Sequence, residues 1–360
     1  MSVTSGRVRA FDWLRGLAVP FMLQCHALSL LLRPLHQTPT TKALLWLDGL
    51  VAPSFMLAAG FALALTQVRS AHAGNQTARR LKSLRRIGEV LAVATLVNWM
   101  WFPIFREPKW LFRVDILHCI GLSLLLTFPV VTLLAKRPRV LVPVALGIAG
   151  VIFAIAPFGE QVNGAWAMLA NKSTGAVFPL LPWTGYVFLG AAFGAIAAIR
   201  DPVALAKRLA LLGGVAGAVW MAAPLLREVY PPHDFGTFNP AEHARRLTVI
   251  ALVLLTLLHI DHRMPALAGT VPFKVLNVFG TNSLAAYFFH EALLYYPVFG
   301  FSFQAQWGYQ SGWGQYAVLT LALIAVTFGL CWITDRVYRG VGELRTRTSP
   351  AHDAVRLHPG

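Results

Sequence analysis

Apolar runs of about 20 residues recur along the whole chain, divided by short polar stretches, and a run of that length crosses the hydrocarbon core of a bilayer as a helix. Such runs are read at about residues 10–33, 43–66, 87–105, 114–135, 140–157, 177–199, 208–224, 246–261, 276–296 and 314–335. A membrane barrel would instead alternate apolar and polar residues in segments of about 10, and that alternation is absent. The pattern predicts an all-α fold, a polytopic transmembrane helical bundle of about 10 spans. Residues 1–340 read as one transmembrane domain and 341–360 as a basic, flexible cytoplasmic tail. The first run is too long for a signal peptide and has no small-residue cleavage site, so it is expected to stay as a span.

That first run is not a plain membrane helix. Asp12, Arg15, Val19, Met22, His26, Ser29 and Arg33 recur by threes and fours, which puts them on one helix face. Ionisable groups inside a membrane are costly and mark function. Arg15 and His26 lie about 16 Å apart at the helical rise, one toward each membrane surface. The run at 276–296 has the same direction and a similar face of Ser283, Tyr287 and His290, with Glu291 beside it. His290 reaches a depth like that of His26. Asp48, Asn98, Asp115, His118 and Trp183 fall near that level on other spans, with His36 in the loop just beyond. The opposite level offers Asp12, Arg15, Arg85 and Arg86. Imidazoles and carboxylates suit acid–base work, and arginines suit phosphate binding.

Each feature also has a plainer reading. Asp12 with Arg15 fits an ion pair at a helix end, Glu291 a residue that merely holds His290, and Trp183 an interface anchor. The pairs Gly190/Gly194 and Gly213/Gly217 are spaced for close helix packing.

Composition supports the membrane class. Charged residues make up 13% of the chain and apolar ones 56%, against about 25% charged in a soluble domain. The net charge of +16 would suit nucleic acid, but its distribution argues otherwise. With a cytoplasmic N-terminus, lysines and arginines sort to the inner side by more than two to one, which is the positive-inside rule. Both termini are then cytoplasmic, no nucleic-acid partner is expected, and a bacterial inner membrane is the expected location. Cys25, Cys119 and Cys331 fall inside runs without disulfide or zinc spacing, and no metal is expected.

Four stretches carry a resemblance: Asp12-x-x-Arg15-Gly16 with Met22 and His26; Asp48-x-x-x-x-Pro53-x-Phe55 with Ala59-Gly60; Pro179-Leu180-Leu181-Pro182-Trp183; and Gly280-x-Asn282-Ser283-Leu284-x-x-Tyr287-x-x-His290-Glu291. In that order they resemble the heparan-alpha-glucosaminide N-acetyltransferase family, within a wider group of transmembrane acyltransferases similar to acyltransferase family 3. The resemblance implies a membrane-embedded acyltransferase that carries an acetyl group from cytosolic acetyl-CoA to an extracytoplasmic amino sugar or glycan. It implies that Asp12, Arg15, Arg85 and Arg86 hold the donor, and that His26, His36, Asp48 and His290 are catalytic, with Asp48 or Asp115 orienting the imidazole. Asp115, His118, Trp183, Asn282, Ser283 and Glu291 would line the acceptor site. The family is similar in having a catalytic histidine after the first span, where His36 is the positional match. The polar position within that span, often asparagine in eukaryotic members, is His26 here, so either imidazole is open as the base. The chain shows no counterpart of those members' long lumenal domain, and an acceptor other than heparan is expected. The bilayer, acetyl-CoA and a glycan are the expected partners, with a homodimer left open. The rival class is a proton-coupled transporter or glycan exporter, because intramembrane Asp, His and Arg also serve proton coupling. That class favours inverted repeats, and none is evident.

Overall fold

A computed structural model of the chain describes residues 8–101, 113–173, 175–297 and 300–348. The helices are α1 (Arg9–Ala27), α2 (Pro39–Asp48), α3 (Val51–His72), α4 (Gln76–Trp101), α5 (Ile116–Leu134), α6 (Pro138–Ile155), α7 (Ala167–Ala170), α8 (Leu180–Ile199) and α9 (Pro202–Met221). They continue as α10 (Ala223–Val229), α11 (Phe235–Phe238), α12 (Pro240–Arg263), α13 (Pro265–Ala268), α14 (Val271–Thr281), α15 (Ser283–Tyr295), α16 (Phe303–Trp307) and α17 (Trp313–Thr348). No strand occurs among the described residues beyond one isolated bridge, Leu31 to Ser311.

Local sequence explains several helix starts. Thr38, Asp201 and Asn239 each accept a backbone N–H of the turn that follows, and each is followed by a proline at the first helical position. A short polar cap supplies a missing acceptor there, and proline removes a donor that would go unpaired.

Among the described residues, seven helices are long and apolar enough to cross a membrane, with α2 and α3 counted together as Pro39–His72. The other expected spans differ for identifiable reasons. α1 carries Arg9, Asp12 and Arg15, and the first half of α4 carries Arg79, Arg80, Lys82, Arg85 and Arg86. The expected span at 276–296 is broken into α14 and α15. Asn282 sits between them at φ −111° and ψ 26°, with its amide donating to the Val278 carbonyl at 3.0 Å. A side chain that bonds the previous turn in this way competes with helix continuation. Between α9 and α12 the chain forms two short helices, α10 and α11. The basic tail expected from 341 overlaps the end of α17, and residues 349–360 lie outside the described set, as do residues 102–112.

α8 is the central element, with nearly every side chain buried. It packs against α3 on one side and α6 on another. A Cβ added to Gly60 would overlap the Val187 carbonyl, and one on Gly190 or Gly194 the carbonyl of Leu57 or Phe61. These glycines let two backbones touch, as small residues do in membrane bundles. Gly213 and Gly217 face α12 at ordinary van der Waals spacing or slightly closer. α1 and α14 repeat the close approach through Gly16 against Leu276 and Gly280 against Asp12. At the start of α1, Arg9 Nε donates to Asp261 Oδ1 at 2.7 Å, fixing it to the end of α12.

Candidate active site

A cavity of about 670 Å³ runs through the bundle between α1, α3, α4, α5 and α15. α4 lines it from Arg79 to Asn98, a length of about 28 Å at the helical rise. The cavity therefore reaches most of the way across a bilayer core. Its two ends differ in chemistry. Arg15, Arg79, Lys82 and Arg86 line one end, and Cys25, His26, Asp48, Asp115, Tyr295 and Glu291 the other. The middle is apolar, with Phe55, Leu63, Val90, Ile120 and Leu284 among its walls.

At the basic end, Arg15 is paired with Asp12 three residues earlier on α1. Asp12 itself is not on the cavity wall. Arg86 lies on it and bonds Glu89 at 3.1 Å, whereas Arg85 points its exposed side chain to the same Glu89 and does not line the cavity. Arg79 and Lys82 complete the end from α4. Successive basic residues at such helical spacing present one cationic face to a polyanion.

At the other end, two stretches far apart in sequence meet. His26 Nδ1 lies 2.7 Å from Glu291 Oε1 and 3.2 Å from His290 Nε2. His290 is wholly buried, and its Nδ1 bonds the Ala286 carbonyl at 2.9 Å. A carbonyl only accepts, so the His290 proton is on Nδ1 and its Nε2 carries a lone pair. A carboxylate also only accepts, so the proton between His26 and Glu291 sits on His26 Nδ1. In the neutral ring the remaining His26 nitrogen, Nε2, is the unprotonated one. No described residue bonds it, and His26 is part of the cavity wall. The same three residues bring ligand-type atoms within 4.8 Å of one another, an arrangement open to a cation as well as to the proton that His26 and Glu291 share.

The carboxylate that orients His26 is thus Glu291, where Asp48 or Asp115 was expected. Asp48 stands on the wall with both oxygens buried and without a hydrogen bond of ordinary geometry. Asp115 caps α5, accepting Ile116 N–H at 3.3 Å, and also faces the cavity. Ser283 lies on the wall. His36, the other candidate base, does not. It sits in the turn between α1 and α2, where its Nε2 donates to the Leu31 carbonyl at 3.0 Å. His118, Trp183 and Asn282 are also off the wall. Trp183 packs edge-on against Phe178, ring centroids 5.1 Å apart, and Asn282 is spent on the break before α15. Sequence reasoning passed over Arg113 and Tyr295, which line this end. Tyr295 donates to the His26 carbonyl at 3.2 Å and lies one helical turn beyond Glu291, a spacing that could have flagged it.

No curated protein sequence matches the chain significantly. A model of the family described as heparan-alpha-glucosaminide N-acetyltransferase, catalytic, matches residues 7–222. The matched part holds Arg15, His26, Asp48, Arg79, Arg86 and Asp115, and stops short of α12 and α15. Since it takes in more than half of the sequence, including α1, α3, α4 and α5 of the cavity wall, the chain belongs to the heparan-alpha-glucosaminide N-acetyltransferase family of membrane acetyltransferases.

Proposed function

We propose that this protein moves an acetyl group across a bacterial inner membrane, from acetyl-CoA on the cytosolic side to an amino sugar or glycan on the other. The observation that carries the reading is one continuous cavity with arginines at one end and a carboxylate-oriented imidazole at the other. The basic end faces the cytosol in this reading, in line with the excess of lysine and arginine on that side. α1, α4 and the broken α14–α15 pair then join the long apolar helices as crossings, giving about ten in all.

Arg15, Arg79, Lys82 and Arg86 fit the phosphates of the donor, because guanidinium and ammonium groups bind them through charge-assisted bonds. The apolar middle fits the pantetheine arm and excludes bulk water from the thioester. At the far end, His26 Nε2 takes a proton from the acceptor amine or hydroxyl as its nitrogen or oxygen bonds the acetyl carbon. Glu291 holds the Nδ1–H and stabilises the resulting imidazolium. The C–S bond breaks, and the imidazolium returns the proton to the departing thiolate. Asp48, buried beside Cys25 and Gln24 without a hydrogen bond of ordinary geometry, accepts a hydrogen bond from the acceptor and sets it against His26.

The test is purified protein in proteoliposomes, given acetyl-labelled CoA on the outside of inside-out vesicles and amino sugars within. Label should appear on the enclosed sugar and depend on the donor. Label that stays on CoA, with donor binding intact, would overturn the reading.

A further inference from the structure

A second polar cluster lies beside the imidazole end and takes no part in the proton transfer. Arg245 and Arg246 follow one another near the start of α12, and each is only 8% exposed. They share a single carboxylate. Glu242 Oε1 lies 2.6 Å from Arg245 Nη2 and 3.2 Å from Arg246 Nε, and Glu242 Oε2 accepts from Arg245 Nε at 2.8 Å. Arg246 Nη2 donates to the Gly236 carbonyl at 2.7 Å. This leaves Arg245 Nη1, Arg246 Nη1 and Trp183 Nε1 buried without a hydrogen bond of ordinary geometry, with the Tyr186 hydroxyl also facing Arg246. Each such donor is desolvated without compensation, and one carboxylate does not neutralise two guanidinium groups.

The cost does not serve packing alone. Arg245 makes its hydrogen bonds to Glu242 on its own helix, so those bonds fasten no other element. Its guanidinium lies 4.7 Å from the Trp46 ring centre, and Trp46 is 44% exposed, so the cluster has an open rim. Arg246 lies over Trp183 at 5.5 Å. The cluster also touches the cavity. Phe178 lines the cavity and packs on Trp183. Gly49, next to Asp48, is so close to Arg246 that an added Cβ would stand 3.9 Å from its Nε.

We propose that Arg245, Arg246 and the Trp183 indole N–H form an oxyanion subsite for the acceptor, so that the preferred acceptors are amino sugars bearing a carboxylate, sulfate or phosphate. The proposal rests on the acetyl-transfer reading above for its role, though not for its binding. Guanidinium forks pair with such groups through parallel hydrogen bonds. The buried donors then gain the acceptors they lack, and the surplus positive charge is balanced.

Calorimetric titration of the full chain in nanodiscs, without donor, tests binding by itself. The probes are glucosamine, muramic acid, glucosamine 6-sulfate and glucosamine 6-phosphate, which separate charge from sugar and the three oxyanions from one another. At least one charged sugar should bind about tenfold or more tighter than glucosamine. Arg245→Gln should shrink that gap to about twofold or less while donor binding is unchanged. Arg245→Lys, which keeps the charge without the fork, should restore part of it. Arg246 also fastens Gly236, so Arg245→Gln is the deciding variant. Equal or absent binding of charged and neutral sugars by the wild type, or a gap that survives in Arg245→Gln, overturns the proposal. Transfer assays run in parallel keep the two readings apart. Charged sugars that bind but are never acetylated sink the acetyl-transfer reading and spare the subsite. Acetylation of glucosamine without any preference for charge sinks the subsite alone.

Discussion

His26 and His243 are both imidazoles held inside the bundle near the same end, and they differ in what they leave unused. His243 is 1% exposed. Its Nε2 donates to the Thr237 carbonyl at 2.9 Å, and its Nδ1 accepts from the Tyr186 hydroxyl at 2.8 Å. Both nitrogens are spent, and the ring ties α8, α11 and α12 together. His26 spends Nδ1 on Glu291 and keeps Nε2 on a cavity wall. Buried polar groups are almost always satisfied, so full satisfaction marks a structural ring. A free nitrogen beside an empty space marks a chemical one.

The strongest way to break that contrast is to remove the reactive ring. His26→Ala should lower the rate of acetyl transfer by about 10²–10⁴, the usual worth of a general base. Donor binding should stay close to wild type, while the melt should come earlier because the buried Glu291 carboxylate loses its 2.7 Å partner. His36→Ala, measured beside it, should stay within about twofold, as expected for a side chain off the cavity wall. Equal losses in the two variants would remove the basis for choosing His26.

Glu291→Gln comes next. Glutamine keeps the shape and a hydrogen-bond acceptor but not the negative charge that stabilises the imidazolium. Transfer should fall by about 10² in kcat, with the KM for donor unchanged. A rise in KM alone would place Glu291 in binding instead of orientation.

How much of this was legible beforehand varied by element. The polar face of α1 was legible in part, because periodicity within one helix is a local property: Arg15, Met22 and His26 share the cavity wall, whereas Ser29 and Arg33 lie beyond the helix, which ends at Ala27. The pairing of Glu291 with His26 was not. These residues stand 265 positions apart (291 against 26), and no local rule selects Glu291 over Asp48 or Asp115, which share the level. His36 looked equivalent to His26 because position along the chain does not reveal which wall a turn presents. The break at Asn282 was hidden by a run whose mean hydropathy is continuous across it, although the competing side-chain bond is made by a residue type known for it. The Arg245–Arg246 pair escaped notice because arginines at a helix end read as interfacial charge until their burial is seen.

Tyr186→Phe probes the structural side of the comparison. It removes the hydroxyl donor and leaves His243 Nδ1 buried and unpaired. Stability should fall by about 1–3 kcal/mol, read as an earlier melt in the same detergent. Transfer per folded molecule should hold. A fall in transfer without an earlier melt would mean that the His243 ring takes part in chemistry and that satisfaction is a poor guide in this bundle.

The smallest effect expected lies just outside that ring. Thr237, whose carbonyl holds His243, gives its hydroxyl to Asp234 at 2.6 Å, and Lys172 approaches the same carboxylate at 3.2 Å. Partial burial pushes the Asp234 carboxyl up, but the Thr237 hydroxyl and the Lys172 ammonium outweigh it and hold the group below its ordinary value of 3.8. A carboxyl lowered by folding adds stability above its unfolded value and loses it as pH falls through the folded one. The wild type should therefore melt progressively earlier as pH drops below about 4, and Asp234→Asn should show a shallower acid limb. Because Asp234 is 45% exposed, water screens the pair and the difference at neutral pH should be small. Amide exchange at Thr237 and Phe238 gives the sharper reading. If Asp234→Asn speeds exchange there while His243 stays protected, the ring is held by its own two bonds. If both loosen together, the structural site depends on its surface ion pair, and the contrast with His26 is one of degree.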